Sequence, residues 1–199
     1  MTETVTFTEL GPAEFRRAIS RFIAVYTAAM NPPERLLAGR EAILDRHAAN
    51  PGFRALAAAA GPVLAGFSYG FHGAPGQWWH DIVASALAFS SGPGAGGWLT
   101  DSFEVAELHV LPAYQGGGIG RELLLRLTAD RRERTAVLST ADAESRARRL
   151  YRGVGFTDLL TGFRFSGGEP PYAVMGATLP LRSTAPVSGA PRSPRPSSW

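Results

Sequence analysis

A cluster of glycines, GGGIG at residues 116–120, follows an apolar stretch and leads into a segment with leucines at helical spacing. Glycine reaches backbone conformations that other residues avoid, so its N–H groups can approach a ligand closely. The first turn of a helix also leaves N–H groups unpaired and carries the positive end of the helix dipole. These features predict a loop that binds a phosphate, and Arg121 adds a positive charge beside it.

Two common phosphate-binding motifs do not fit this cluster. A P-loop requires Lys and then Ser or Thr after its last glycine, whereas Gly120 is followed by Arg121 and Glu122. A dinucleotide-binding fingerprint requires a glycine where Arg121 stands, and it requires the glycines directly after the strand. Here residues 111–115 intervene. Both motifs are therefore excluded.

A third pattern fits: Gln or Arg, any two residues, Gly, any residue, and then Gly or Ala. The segment QGGGIG at residues 115–120 matches it and resembles the pyrophosphate loop of the Gcn5-related N-acetyltransferase (GNAT) family. The preceding HVLPAY resembles the family's strand and Pro-containing turn, and the following RELLLRL resembles its coenzyme helix. The resemblance implies that acetyl-CoA contacts Leu108, His109, Val110, Gln115, Gly116, Gly117, Gly118, Ile119, Gly120 and Arg121.

A second block, residues 144–156, strengthens the resemblance. It resembles the family's motif B, a helix followed by Gly-Phe at the start of a strand, through Ala147, Leu150, Tyr151, Gly155 and Phe156. The family's usual Asn is replaced by Glu144, which removes one customary hydrogen bond to the coenzyme or the helix start, and Asp142 and Ser145 are the candidates to supply part of it. We expect Ser145 and Arg148 to contact the coenzyme.

The resemblance implies an acetyl-CoA-dependent N-acetyltransferase, in which a primary amine attacks the thioester directly in a ternary complex. Tyr151 is the predicted acid for the leaving thiolate, since a phenol stays protonated at neutral pH. Glu104 and Glu107 are the predicted catalytic bases; because His109 lies on the same strand, the identity of the base stays open among these three. With strict alternation Glu104 shares one face with Leu108 while Glu107 shares the other with His109, and a bulge would change this.

The acceptor side is predicted from aromatic residues. Trp78 and Trp79 precede Asp81 on a segment outside the family's minimal pattern, and an indole beside a carboxylate suits a cationic amine. The alternative is that these tryptophans anchor the inserted segment to the sheet. By resemblance, the turn between the first two helices, with Tyr26, Met30 and Asn31, forms the opposite wall.

Hydrophobic patterns predict the elements that hold these groups. We expect strands at residues 4–10, 53–60, 63–71, 135–140 and 171–179, and helices from 12, over 33–49 and 77–89, from 119 and over 144–152. This order resembles the GNAT fold, of class α/β (α+β). Its central sheet is mixed, mostly antiparallel, flanked by helices and splayed between the fourth and fifth strands.

We expect one domain over residues 1–179, with an inserted helix and a Gly-rich loop at 72–102, and a disordered tail rich in Pro, Ser and Arg over 180–199. There is no cysteine, which excludes a disulfide framework and a covalent Cys intermediate. The four histidines show no metal-ligand spacing, so no metal site is predicted.

All 20 basic residues are Arg, and the surplus of +3 comes from Arg182, Arg192 and Arg195 in the tail. The predicted domain is formally neutral, so we expect no nucleic-acid partner. The lack of a long apolar run and of a signal-like N-terminus predicts a cytoplasmic protein without a membrane partner. The predicted partner is a small-molecule or peptide amine. An acyl-CoA-binding module without turnover is the alternative, and the identity of the acceptor and a homodimer stay open.

Overall fold

The computed structural model describes residues 4–91, 95–165 and 170–182. Within these ranges the chain forms β1 (Val5–Leu10), α1 (Pro12–Met30), α2 (Arg40–His47), β2 (Arg54–Ala60), β3 (Val63–Gly73), α3 (Trp78–Ser91), β4 (Ser102–Val110), α4 (Ile119–Thr128), β5 (Thr135–Ala141), α5 (Arg146–Gly153), β6 (Thr157–Phe163) and β7 (Tyr172–Thr178). Short 3-10 turns occur at Glu34–Leu36, Ala95–Trp98 and Pro112–Tyr114.

The strands form one sheet in the order β1-β2-β3-β4-β5-β7-β6. Neighbouring strands are antiparallel except β4 and β5, which are parallel. The register between β4 and β5 begins at Ser102 with Thr135 and ends at Glu104 with Val137. Both strands continue beyond these residues, so they diverge and leave a gap between them. This confirms the predicted mixed, mostly antiparallel sheet that splays between its fourth and fifth strands.

Three clusters of buried side chains join the helices to the two faces of the sheet. The α1 cluster, with Phe15 and Phe22, packs on Phe67, Tyr69 and Phe71 of β3. The α3 cluster, which contains Val137 of β5, packs on the same face of the sheet, beyond β4. Val137 pairs with Glu104, which pairs with Phe71 of the α1 cluster, and paired residues of neighbouring strands point to the same face. Helices α4 and α5 cover the opposite face, with Leu123, Leu124, Leu127, Tyr151 and Val154 in the third cluster.

The helix predicted over residues 33–49 forms only in its second part, as α2 (Arg40–His47), because the chain bends at Gly39. Gly39 has a φ of +75°, a left-handed conformation that favours glycine, and it caps the start of α2. Only a short 3-10 turn, Glu34–Leu36, precedes it. The bend directs Arg40, the first residue of α2, toward the sheet, where it contacts Glu107.

The predicted inserted helix forms as α3, at Trp78–Ser91, and covers β5, β6 and β7. Of the predicted Gly-rich link, residues 92–94 lie outside the described ranges, and Ala95–Trp98 forms a 3-10 turn. Residues 183–199 of the predicted tail also lie outside them. Within the described part of the chain, no helix has the length and apolar character needed to cross a membrane.

Candidate active site

The glycine loop connects the end of β4 to the start of α4. Gly116 and Gly118 have φ values of +87° and +86°, in the left-handed region that residues with a Cβ rarely adopt. Gly118 is the N-cap of α4, so the loop leads straight into the first helical turn. The side-chain amide of Gln115 donates to the carbonyl of Val110 at 3.0 Å and holds the loop against the strand end. The loop therefore has the backbone shape of the predicted anion site.

A cleft of about 350 Å³ runs from this loop along β4 and between α1 and α5. It is lined by Ala29, Met30, Leu108, His109, Val110, Tyr114, Gln115, Gly116, Gly118, Gly120, Arg121, Arg146, Ala147, Arg149 and Leu150. Arginine side chains and the α4 N-terminus suit phosphates, and the apolar residues of β4 suit a pantetheine arm. Most of the predicted coenzyme contacts thus lie together. Gly117 and Ile119 line a second depression beside β1, which Gly118 and Arg121 also border.

The structure places Arg148 and Ser145 elsewhere than predicted. Arg148 is 5% exposed and forms ion pairs with Asp142 and with Asp158, the latter at 2.9 Å. The two carboxylates raise the pKa of Arg148. The N–H of Gly162 and then Arg148 lower the pKa of Asp142. Burial acts to raise the pKa of Asp158, but Arg148 and Arg152 together lower it. Ser145 is the N-cap of α5 and accepts a bond from the Arg148 N–H at 3.1 Å, which confirms it as a substitute for the family's Asn. Both side chains thus form contacts within the protein that hold α5 in place.

Arg146 and Arg149 are the α5 arginines that line the cleft. The sequence alone is sufficient to predict that Arg146 and Arg149, rather than Arg148, line the cleft. Successive helical residues are about 100° apart, so Arg146 and Arg149 share a face with Leu150 while Arg148 lies on the opposite face. The motif residues Ala147 and Leu150 mark the cleft side of the helix.

A β-bulge in β4 decides where its acidic side chains point. Tyr69 pairs with Glu107, and the next residue of β3, Gly70, pairs with Val105, so Ala106 is the extra residue. Cross-strand partners share a face, and Phe67, Tyr69 and Phe71 lie opposite His109, Glu107 and Glu104. All three candidate groups of β4 therefore face the α1 side. The strict alternation considered from the sequence is wrong at this position.

Glu107 is held in a network of polar groups. Its Oε1 lies 2.8 Å from Nη2 of Arg40 and accepts a hydrogen bond from the Tyr69 hydroxyl at 2.9 Å. Its Oε2 lies 3.3 Å from Nε2 of His109. Burial acts to raise the pKa of Glu107, but His109, Arg40 and Tyr69 together hold it below its ordinary value. Glu107 is therefore an ionised, paired carboxylate. No sequence pattern indicated that Arg40 and Tyr69 would contact Glu107.

Glu104 lies where β4 and β5 part, in a different environment. It is 6% exposed, and its Oε2 has no hydrogen-bond partner among the described residues. Burial raises the pKa of Glu104 to about 8, because a charge there loses its hydration. The carboxyl is therefore mostly protonated at neutral pH. Neither Glu104 nor Glu107 belongs to the lining of the cleft, whereas His109 does.

Tyr151 packs in the core on the α5 side, with its ring centroid 5.8 Å from that of Phe156. Its neighbours Ala147 and Leu150 line the cleft. Burial raises the pKa of Tyr151 to about 12, so the phenol keeps its proton at neutral pH and is a weaker acid than a free tyrosine. Its role as the acid stays a prediction.

The predicted acceptor residues are divided between two regions. Tyr26 lies beside the cleft, with its ring centroid 5.1 Å from that of His109, and the Arg40 guanidinium stacks on it. On α3, the Trp79 indole donates to Ser139 of β5 at 3.1 Å and packs in the α3 cluster, as in the anchoring alternative. Trp78 is 60% exposed, and Asp81 accepts bonds from the Gly76 N–H at the start of α3.

The comparisons with known proteins agree with this geometry. A family model described as an acetyltransferase (GNAT) domain matches residues 80–158. A GCN5-like protein acetyltransferase of Mycobacterium tuberculosis, Rv2170, is 35% identical to this chain over an alignment of 201 positions. The alignment covers 87% of this chain and 97% of the relative.

Solved structures of low identity share the fold. The yncA structure from Salmonella typhimurium, with its cofactor acetyl-CoA, has a TM-score of 0.56 and 20% identity, covering 93% of this chain and 99% of that one. A GNAT-family acetyltransferase from Streptococcus pneumoniae has a TM-score of 0.57 and 14% identity, covering 88% and 99%.

Proposed function

Since this chain belongs to the Gcn5-related N-acetyltransferase family, we propose that it transfers the acetyl group of acetyl-CoA to a primary amine of a peptide or small molecule. The amine attacks the thioester directly, with both substrates bound at once. Tyr151 remains the predicted proton donor to the leaving thiolate.

The gap between β4 and β5 carries this proposal. The two strands pair at only three positions, ending at Glu104 with Val137, and β4 then continues toward the glycine loop paired with β3 but no longer with β5. Its backbone groups beyond Glu104 are thereby open toward β5 for hydrogen bonds with an extended ligand. The gap points at the N-terminus of α4, which suits a molecule with an extended arm and phosphates at one end.

The lining of the cleft supports acetyl-CoA as the donor. Arg121, Arg146 and Arg149 line the cleft, and arginine pairs with phosphate by charge-assisted hydrogen bonds. Leu108, Val110 and Leu150 give the same cleft an apolar wall that suits the pantetheine arm. A smaller ligand without phosphates would use neither the arginines nor the loop.

The acceptor reaches the thioester from the side of α1, where Ala29, Met30 and His109 line the cleft. A protein amine is the first acceptor to test, because the Mycobacterium tuberculosis relative is a protein acetyltransferase by name. Small amines remain part of the proposal, since one fold serves many acceptors.

The test measures thiol release from acetyl-CoA with a panel of amines: a lysine-containing peptide, a peptide with a free N-terminus, a polyamine and an amino acid. We expect thiol release above the amine-free rate with at least one of them, and mass spectrometry should show an acetyl group on its nitrogen. Calorimetry with acetyl-CoA runs in parallel. Tight coenzyme binding without turnover on any amine would instead indicate an acyl-CoA-binding module.

A further inference from the structure

Three groups of β4 with acid–base chemistry face the α1 side, and among the described residues only His109 of these three lines the cleft. We propose that the His109 side chain accepts the proton of the attacking amine, and that Glu107 positions it. The inference rests on the proposed acetyl transfer and assigns its base. His109 is then a catalytic residue, and Glu107 is a positioning residue.

The contacts of Glu107 explain how the imidazole is oriented. Oε1 is taken by Arg40 at 2.8 Å and by the Tyr69 hydroxyl at 2.9 Å, so the carboxylate cannot rotate freely. Oε2 has no hydrogen-bond partner among the described residues and lies 3.3 Å from Nε2 of His109, close enough for an ion pair once the ring is protonated. Because Nε2 is the ring nitrogen in contact with the carboxylate, Nδ1 is the one left to accept the proton of the amine.

The ring of His109 is also fixed by its neighbours. Its centroid lies 5.1 Å from that of Tyr26 on α1 and 5.5 Å from that of Phe67 on β3. Its side chain is 13% exposed, so most of the ring is shielded while the residue still borders the cleft. A base held in this way loses little freedom on reaction.

The two glutamates are less suited to accept the proton themselves. Glu107 is paired with Arg40, and ion pairing lowers the pKa of a carboxylate and makes it a weaker base. Glu104 lies deeper, without a charged partner among the described contacts, and burial keeps it mostly protonated at neutral pH.

Several titratable groups surround the pair and enter its pH dependence. Around His109 and Glu107 these groups are Arg40 and His47 from α2, Tyr26 from α1, Tyr69 from β3 and Glu104 from β4. Burial raises the pKa of Tyr69 well above its ordinary value and lowers that of His47. Tyr69 therefore does not change charge near neutral pH.

The proton balance of the step is simple. As the new C–N bond forms, one N–H bond of the amine breaks and its proton moves to Nδ1 of His109. The C–S bond breaks, and the thiolate takes a proton from the predicted donor Tyr151. His109 releases its proton to water, and Tyr151 regains one from water.

The test uses His109→Gln, with His72→Gln as a matched histidine outside the cleft, and compares pH profiles of kcat/KM for the best amine. We expect His109→Gln to lower kcat/KM about 100-fold and to lose the ascending limb of the profile. Its dissociation constant for acetyl-CoA should stay within about twofold, because the ring lies on the α1 side of β4, beside Tyr26 and Phe67. Added imidazole should restore part of the activity of His109→Gly.

Tyr69→Phe tests the positioning of Glu107 with little change in packing. We expect kcat to fall several-fold, with an unchanged dissociation constant for acetyl-CoA and a shifted ascending limb. An unchanged kcat and pH profile in His109→Gln and Tyr69→Phe, with amine turnover intact, would overturn this inference alone. Absence of turnover by the wild-type protein would overturn the proposed function and this inference with it.

Discussion

Glu104 and Glu107 are three residues apart on β4 but face the same side of the sheet, because the bulge at Ala106 lies between them. Their environments differ in charge. Glu107 is paired with Arg40, which helps to hold its pKa below the ordinary value, whereas burial raises the pKa of Glu104 to about 8. One strand thus carries an ionised and a mostly protonated carboxyl side by side.

The buried Glu104 makes the folded state less stable as the pH rises. Its pKa is about 8 in the folded protein against 4.5 in the unfolded chain, so between these values the folded state keeps a proton that the unfolded state releases. This contribution to stability is complete below pH 4.5 and declines toward pH 8, by up to about 1.4 kcal/mol per pH unit. Glu104→Gln lacks this titration, and its stability should decline less steeply over the same range.

Urea unfolding at pH 5, 6.5 and 8 measures the difference. Glu41→Gln, at an exposed position of α2, controls for the general loss of one charge. Parallel stability curves for the wild type and Glu104→Gln would contradict the raised pKa.

Gly118→Ala should damage the coenzyme loop through the backbone. An added Cβ has no atom within 4 Å, so the cost comes from the φ of +86° and amounts to about 1 kcal/mol. We expect acetyl-CoA to bind about tenfold more weakly, because relief of this strain moves the N–H groups at the α4 N-terminus. Calorimetry and thermal unfolding measure both effects.

Gly76→Ala is the matched control for this strain. Gly76 has a φ of +92° with the same open surroundings, and it precedes α3, outside the cleft. It should lose a similar amount of stability and keep its affinity for acetyl-CoA. Equal affinities in the two variants would argue against a coenzyme site at the glycine loop.

Arg148→Met and Arg149→Met should separate structure from binding on α5. Removal of Arg148 leaves Asp142 and Asp158 without their buried partner, so we expect a melting temperature several degrees lower and an unchanged affinity for acetyl-CoA. Removal of the exposed Arg149 should keep the melting temperature and weaken acetyl-CoA binding by about threefold to tenfold.

The effect of Arg149→Met should shrink at high salt, since the attraction between exposed charges is screened. Differential scanning fluorimetry and calorimetry at two ionic strengths provide the measurements. Loss of acetyl-CoA affinity in a folded Arg148→Met would restore Arg148 as a coenzyme contact.

Trp79→Ala and Trp78→Ala should differ in stability rather than in catalysis. Trp79 packs in the α3 cluster and donates to Ser139, so its truncation should cost about 3 kcal/mol. Trp78 is exposed, and its truncation should cost under about 1 kcal/mol. Urea unfolding and the acceptor KM test this. A raised acceptor KM in Trp78→Ala would place that residue on the substrate side.

The coenzyme loop and the order of helices and strands could be predicted from the sequence alone, because both depend on interactions between residues close together in the chain. The pattern at residues 115–120 works through conformations that glycine favours, and Gly116 and Gly118 adopt them. The leucines of α4 and the serine cap of α5 act within a few residues along the chain. Such signals depend little on the rest of the fold, so they predicted the family, most elements and most of the cleft lining.

The roles of individual charged residues depended on contacts between segments far apart in the chain. The direction of Glu104 follows from the bulge at Ala106, which is defined only against β3. Arg40 reaches Glu107 because Gly39 bends the chain before α2, and this pairing makes Glu107 an anion beside His109. Strand register and side-chain pairing across the sheet fix such contacts, and no pattern within one segment encodes them.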